Sequence, residues 1–353
     1  MNILFIGEDL KKSRSGVVTV MNQILHDESL KGTANFKTIF TTSDDYSIVK
    51  KLYCWLKAYV KFLYYLPSCK IIHIHHASDL NFWLSAGLGY LAKFFGKKTL
   101  LHNHSADFHE FYEKSSQKNK NRIAKVFQNV TATIVLSNHW LTWYSQIATK
   151  AKFFMLQNAI EIPENIVPKD IESKEVILIY LARIEKRKGF FDLIKVMPSI
   201  IVNFPNIKLY VAGQGDITSA NEIVKRNGLE NNVIILGYIN SEERDSFLRR
   251  AHVLVFPSYN EGLPMSLLEA MSYGLVPVTT PVGGIPDVVK QDENGHLISP
   301  GDTLALENSI GFILSSPTLY KKLSENAKLT VLKDFNYQNY GKKLMDIYTY
   351  MLK

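Results

Sequence analysis

Cysteine is scarce in this chain of 353 residues: only Cys54 and Cys69 occur. Two thiols cannot build a disulfide framework, which points to a reducing compartment, the cytoplasm. No uninterrupted apolar run reaches the roughly 18 residues that a membrane-crossing helix needs. The opening MNILFIGEDL has no basic flank, and its apolar run is too short for a signal peptide. No Asp-x-Asp motif is present to hold a metal, and there are neither repeats nor low-complexity tracts. No Gly-x-Gly-x-x-Gly follows the first apolar run, which argues against a dinucleotide oxidoreductase. The last absence concerns charge. Residues 1–165 hold 20 Lys and Arg against 12 Asp and Glu, whereas the remainder holds 21 of each. The whole net charge of +8 therefore lies in the first half, where an anionic surface is expected to be met.

What the chain has in plenty is short apolar runs alternating with helical patterns. Residues 2–7, 69–75, 98–104 and 132–137 read as buried strands, followed by 176–182, 207–213, 232–237, 252–258 and 275–280. Amphipathic stretches at 17–29, 80–95, 188–202, 241–250 and 303–314 separate them. Such alternation predicts an α/β chain with parallel, doubly wound sheets, and its length predicts two domains. The stretch NAIEIPENIVPKDIESKE (158–175) breaks the rhythm and reads as a linker. The expected division is 1–160, 161–335, and a final helical segment 336–353 able to pack on either domain. Two open sheets facing each other would put their strand ends around one cleft, the usual place for a ligand in such folds.

Chemistry-bearing residues gather after the strands. In PSYNEGLPMSLLEAMSYGLVPV (257–278), Glu261 precedes a helix that contains Glu269. Pro264 suits the first helical position, leaving the N–H groups from Met265 onward to face an anion. Leu267, Leu268 and Met271 share the face opposite Glu269. In LARIEKRKGFFDL (181–193), Arg183 and Lys188 flank a strand-to-helix loop, a cation pair suited to a diphosphate. Lys186 and Arg187 read as solvated. In GEDLKKSRSGVVTV (7–20), Ser15-Gly16 fits either close approach to a phosphate or a plain helix start. HIHH (73–76) and HNH (102–104) lack a nearby Cys, Asp or Glu at ligand spacing, so no metal is expected. His104, at a strand end, is the better placed to face a cleft, with His102 as its competitor. VKKLYCWLKAYVKFLYYLP (49–67) carries Lys50, Lys51, Lys57 and Lys61 among aromatics. It fits a half-buried helix with snorkelling lysines or an interfacial helix on anionic lipid, and the charge asymmetry favours the membrane.

Taken in order, ARIEKRKG, FPSYNEGLPMSLLEAMSYGLVPV and TPVGGIPDVV resemble the retaining glycosyltransferase family 4 (glycosyl transferases group 1), most closely over 176–300. The resemblance implies a GT-B fold of two facing Rossmann-like domains. It also implies a role for each matched residue. Arg183 and Lys188 would hold the diphosphate of a nucleotide-sugar, a UDP-sugar by default. Glu269 would accept from the ribose hydroxyls and Glu261 would bind the donor sugar, with the Gly262-Leu263 backbone at sugar and phosphate. His104 would approach the reacting centre, and Gly16 would let the first loop close; many relatives have two adjacent glycines there. The implied activity is hexosyl or N-acetylhexosaminyl transfer without metal or other cofactor. The acceptor would be a polyprenyl-diphosphate-linked glycan at the inner membrane face, in surface polysaccharide assembly such as lipopolysaccharide or capsule. The expected partners are thus donor, lipid-linked acceptor and anionic membrane surface, and no nucleic acid. The competing readings are a nucleotide-sugar epimerase of the same fold and a non-enzymatic lipid- or polyanion-binding protein.

Overall fold

The computed structural model describes residues 1–13, 15–42 and 46–353. The chain divides into two compact units, one formed by Met1–Asn158 with Tyr337–Lys353 and the other by Ala159–Asn336. The first unit holds a parallel sheet of six strands: β1 (Asn2–Glu8), β2 (Asn35–Thr42), β3 (Ile71–His76), β4 (Lys98–Asn103), β5 (Ala132–Val135) and β6 (Phe153–Met155). Their order across the sheet is β2-β1-β3-β4-β5-β6. The second unit repeats the design with β7 (Val176–Leu181), β8 (Ile207–Ala212), β9 (Val233–Gly237), β10 (Val253–Phe256), β11 (Val276–Thr279) and β12 (His296–Leu297). Here the order is β12-β11-β10-β7-β8-β9.

The central strands are apolar because helices cover both faces of a parallel sheet. Every residue of β3, β5, β7, β10 and β11 is buried. In each unit the chain builds outward from its first strand in one direction, then returns to build in the other. The order therefore reverses between β1 and β3 in the first sheet and between β7 and β10 in the second. At such a reversal the flanking helices leave on opposite faces, opening a crevice at the carboxyl ends of the two strands. The loop after β7 carries Arg183 and Lys188, and the loop after β10 carries Glu261.

Three strands had no counterpart among the sequence expectations: β2, β6 and β12. Each lies at a sheet edge. The stretch 158–175 contains no helix or strand, only an isolated bridge from Ile160 to Asn336. The last helix, Tyr340–Leu352, buries Leu344, Ile347, Tyr348 and Met351 and belongs to the first unit. Gly341 in its first turn lies against Asp27, whose carboxylate oxygens would stand within 2.4 Å of an added Cβ.

Candidate functional site

In the second unit three loops interlock at the strand ends. Lys186–Lys188 form one short 3-10 turn, and Gly189 follows with φ +73°. A Cβ on Gly189 would fall 2.0 Å from the Pro257 carbonyl oxygen, so only glycine lets the loop after β7 lie against the loop after β10. The Tyr259 N–H donates to the Arg187 carbonyl at 2.8 Å, and Arg187 Nη1 donates to the Asn260 carbonyl at 3.4 Å. From the core below, the buried Tyr180 hydroxyl donates to the Arg183 carbonyl at 2.7 Å. The loop after β11 closes the third side. Gly283, at φ +55°, sits so close that a Cβ would meet the Glu261 carbonyl oxygen at 1.8 Å, and the Gly284 N–H donates to Gly262 at 2.6 Å.

These contacts bring together most of the residues singled out in this half. Lys188 Nζ donates to Glu261 Oε1 at 2.6 Å, with side chains 14% and 6% exposed. Arg183 stands at the mouth of the same loop, about half exposed, with its Nε 3.7 Å from Glu185 Oε2. Gly262 and Leu263 are buried beneath Glu261. Arg187, expected to be solvated, is half-buried and donates to Glu185 Oε1 at 3.1 Å as well as to Asn260. It is an internal strut because its loop is folded back onto the loop after β10.

The helix after Glu261 starts one residue later than expected. Pro264 is the capping residue, in an extended conformation, and Met265 opens the helix Met265–Ser272. The N–H groups from Met265 onward still end the helix, and the Pro264 side chain offers them nothing. Leu267, Leu268 and Met271 are buried, as the period of the helix implies. Glu269 departs from the simple picture of an outward face. Its side chain is 15% exposed because Arg244, from the helix Ser241–Arg250, stands 3.3 Å from its Oε2. Burial pushes the Glu269 carboxyl up and Arg244 opposes that shift. Nothing local in the sequence links these two residues, which are 25 positions apart.

In the first unit, Gly16 is the first residue of the helix Gly16–His26. Ser15 caps it, accepting from the Val18 N–H at 3.3 Å. Glu8, at the end of β1, accepts from the hydroxyls of Ser13 and Ser15 at 2.5 and 2.7 Å and so ties the loop down. Sequence reasoning missed Glu8; Arg14 of this loop lies outside the described residues. Across the sheet reversal, β3 and β4 pair with His75 beside His102. His75 Nδ1 lies 2.8 Å from His104 Nε2, His73 Nε2 lies 3.3 Å from His102 Nδ1, and His73 Nδ1 lies 2.6 Å from the Tyr348 hydroxyl. His102 is fully buried, whereas His104 keeps part of its surface exposed. Burial holds these rings neutral. The His73 and His104 pKa values fall to about 3 and that of His76 to about 4, while His75 and His102 lie well below the usual value. Ligand atoms of His73, His75 and His102 all lie within 4.8 Å of one another. The planes of His73 and His102 nevertheless stack at 12°, and those of His73 and His75 at 24°.

Residues 161–330 match the family described as glycosyl transferases group 1. The chain carries a group 1 glycosyltransferase domain. That domain contains every residue of the three interlocked loops. A phosphatidylinositol N-acetylglucosaminyltransferase polypeptide from Arabidopsis thaliana is 28% identical over 211 residues, 58% of this chain and 45% of that protein. The chain spans about half the length of the curated relatives it matches first, 45 to 48%. Among solved structures, sucrose-phosphate synthase from Thermosynechococcus elongatus aligns with a TM-score of 0.81 at 20% identity, over 100% of this chain and 99% of that one. HepE from Anabaena, solved in complex with UDP and glucose, aligns with a TM-score of 0.77 at 17% identity, over 98% of this chain and 99% of that one. With the group 1 domain as its second half, the fold is GT-B, two Rossmann-like α/β domains.

Proposed function

We propose that this protein is a retaining glycosyltransferase that moves a sugar from a UDP-sugar to an acceptor carried on a membrane lipid. The observation that carries the donor half is the junction at the β7–β10 reversal. It collects the Arg183 guanidinium, the Lys188 ammonium and the Glu261 carboxylate, and the helix that carries Glu269 opens directly beyond it at Met265. The UDP and glucose bound by HepE support UDP as the nucleotide here.

Each part has a task in that reaction. As the sugar–phosphate bond breaks, negative charge grows on the departing diphosphate and positive charge at the anomeric carbon. Arg183 can fork onto two phosphate oxygens, while Lys188 and the N–H groups from Met265 onward add positive potential. These cations do the work that a metal does elsewhere, so the reaction is assigned no metal. The Lys188–Glu261 ion pair keeps both charges side by side; when phosphate draws the ammonium, Glu261 offers its oxygens to sugar hydroxyls. Glu269 takes the ribose hydroxyls. His104 is assigned to the transfer step within the first unit. Glu261 is not made a nucleophile, and retention is assigned to same-face substitution assisted by the leaving phosphate.

The acceptor half rests on the helix Ile48–Tyr65. Trp55, Ala58 and Phe62 are buried, while Val49, Leu52, Tyr53, Leu56, Val60, Leu63 and Tyr64 form an exposed apolar stripe. Lys50, Lys57 and Lys61 run along one side of it, the pattern of a helix lying in a membrane interface. No helix among the described residues is long and apolar enough to cross a membrane. The Arabidopsis relative is named for a lipid, phosphatidylinositol, which supports a lipid-borne acceptor. A polyprenyl-diphosphate-linked glycan fits a basic, apolar surface, and the inner membrane face is the matching location.

The test is a panel of UDP-, GDP-, ADP- and dTDP-sugars, measured for binding and for hydrolysis without acceptor, with and without EDTA. Binding confined to UDP-sugars, lost in Arg183→Ala and Glu269→Ala and indifferent to EDTA, is the expected result. Unchanged binding in both variants would remove the site assignment. Formation of a stereoisomeric donor without any acceptor would replace transfer by epimerisation.

A further inference from the structure

We propose that Arg244 is a positioning residue for the nucleotide, holding the Glu269 carboxylate in place as the acceptor for a ribose diol. The proposal rests on the reading of Glu269 as the ribose ligand and extends it to a residue that touches no donor atom in that reading.

The geometry is built from two adjacent inter-helix contacts. The helix Ser241–Arg250 starts at a complete capping box: the Glu243 N–H donates to Asn240 Oδ1 at 2.9 Å and the Asn240 N–H to Glu243 Oε2 at 2.8 Å. That reciprocal pair fixes the first turn, and Arg244 and Asp245 follow immediately. Asp245 accepts from the Tyr273 hydroxyl and, at 2.7 Å, from Arg249 Nε. Tyr273 lies four residues beyond Glu269, on the same side of its helix. The Asp245–Tyr273 contact therefore acts as a bolt beside the Arg244–Glu269 contact and sets its distance of 3.3 Å.

That distance matters because of what surrounds the carboxylate. Glu269 is nearly buried, and among the described residues no hydrogen bond reaches either of its side-chain oxygens. Its oxygens therefore keep acceptor capacity that an incoming hydroxyl donor can use. A vicinal diol needs both oxygens as acceptors, hence an ionised carboxylate. Burial works against ionisation and the Arg244 charge offsets part of that penalty. Arg244 keeps 38% of its side chain exposed, so it supports Glu269 without sealing it.

The experiment compares dissociation constants of UDP and 2′,3′-dideoxy-UDP for the wild type, Arg244→Ala, Arg244→Lys and Glu269→Gln, with a thermal melt of each. In the wild type UDP is expected to bind at least about tenfold tighter, the scale of hydrogen bonds to a charged group. Arg244→Ala should weaken UDP by about tenfold while leaving the dideoxy compound within about twofold, and Arg244→Lys should recover part of the preference. If Arg244→Ala weakens both nucleotides alike, or neither, the positioning role is wrong. If Glu269→Gln keeps the full preference for UDP, the ribose role of Glu269 itself fails, a result separable from the first. Should Arg244→Ala not fold, Arg244→Gln serves for the same comparison.

Discussion

Single atoms decide the candidate site at two points, Gly189 and the Lys188–Glu261 pair. At Gly189 a Cβ would meet backbone, the Pro257 carbonyl, so no side-chain rotation relieves the clash. Gly189→Ala is therefore expected to destabilise the second unit by more than about 2 kcal/mol, strain at φ +73° adding to overlap. Gly228→Ala is the control. Its φ is +64°, but nothing lies within 4 Å of the new Cβ, and the cost should stay near 1 kcal/mol. Calorimetric melting of the two variants checks this, and equal losses would mean that the loop contact contributes nothing. The ion pair gives a second prediction. Lys188→Met strands the buried Glu261 carboxylate and should cost about 3–5 kcal/mol, whereas adding Glu261→Gln should restore most of it. No recovery in the double variant would show that Lys188 acts through its own packing. Glu261, Arg183 and Lys188 could be singled out in the sequence because they stand in short loops directly after apolar strands, whereas the close backbone approaches at Gly189 and Gly283 could not. Arg244, Glu8 and Tyr180 were not legible, because each acts through a partner that only the fold brings near.

Element by element, what the sequence revealed depended on how deeply each segment is covered. Strands buried on both faces carry mostly apolar residues, so β1, β7 and β10 stood out, and β3 did so through its isoleucines although three of its six residues are histidines. The strands overlooked are all edges. NFKTIFTT of β2 pairs only with β1, so it needs fewer apolar residues and lost its signal, while β6 and β12 have three and two residues. The helix Ile48–Tyr65 poses the opposite problem, since it is apolar where none of the described residues of its unit covers it. The membrane docking proposed for that surface predicts a measurable outcome. Co-sedimentation with vesicles containing anionic lipid should fall about tenfold or more when Lys50, Lys57 and Lys61 are changed to Glu, since each lysine near such a surface contributes about 1 kcal/mol. Raising salt should weaken binding in the wild type. Leu56→Ser, placed on the stripe, should weaken it with little change in salt dependence, since the charge is unaltered. Binding unaffected by either change would leave the apolar stripe without this role.

Across the whole molecule, ionisable groups are unevenly invested. The first unit owns the excess positive charge and also a cluster of five histidines held neutral by burial: His73, His75, His76, His102 and His104. The sequence displayed these histidines as two short motifs but not their burial, which follows from adjacent positions on two central strands. Their consequence is a linkage with a definite sign. In the unfolded chain a histidine titrates near 6.5, whereas in the fold His76 does so at about 4 and His73 and His104 at about 3. Well above pH 6.5, by about pH 8, neither state binds protons there and stability is flat. As pH falls below 6.5 the unfolded chain gains protons that the folded unit refuses, so stability drops, by up to about 1.4 kcal/mol per pH unit for each histidine. The melting temperature should therefore fall steeply between pH 7 and pH 5. His76 isolates the effect, because its ring lies among Phe82, Phe108 and Phe127 and its Nε2 has no partner among the described residues. His76→Leu keeps the apolar contacts and removes one titrating group, so stability plotted against pH should lose about one proton's worth of slope. An identical slope in that variant would mean that His76 is protonated in the folded protein, and that its aromatic neighbours tolerate a cation.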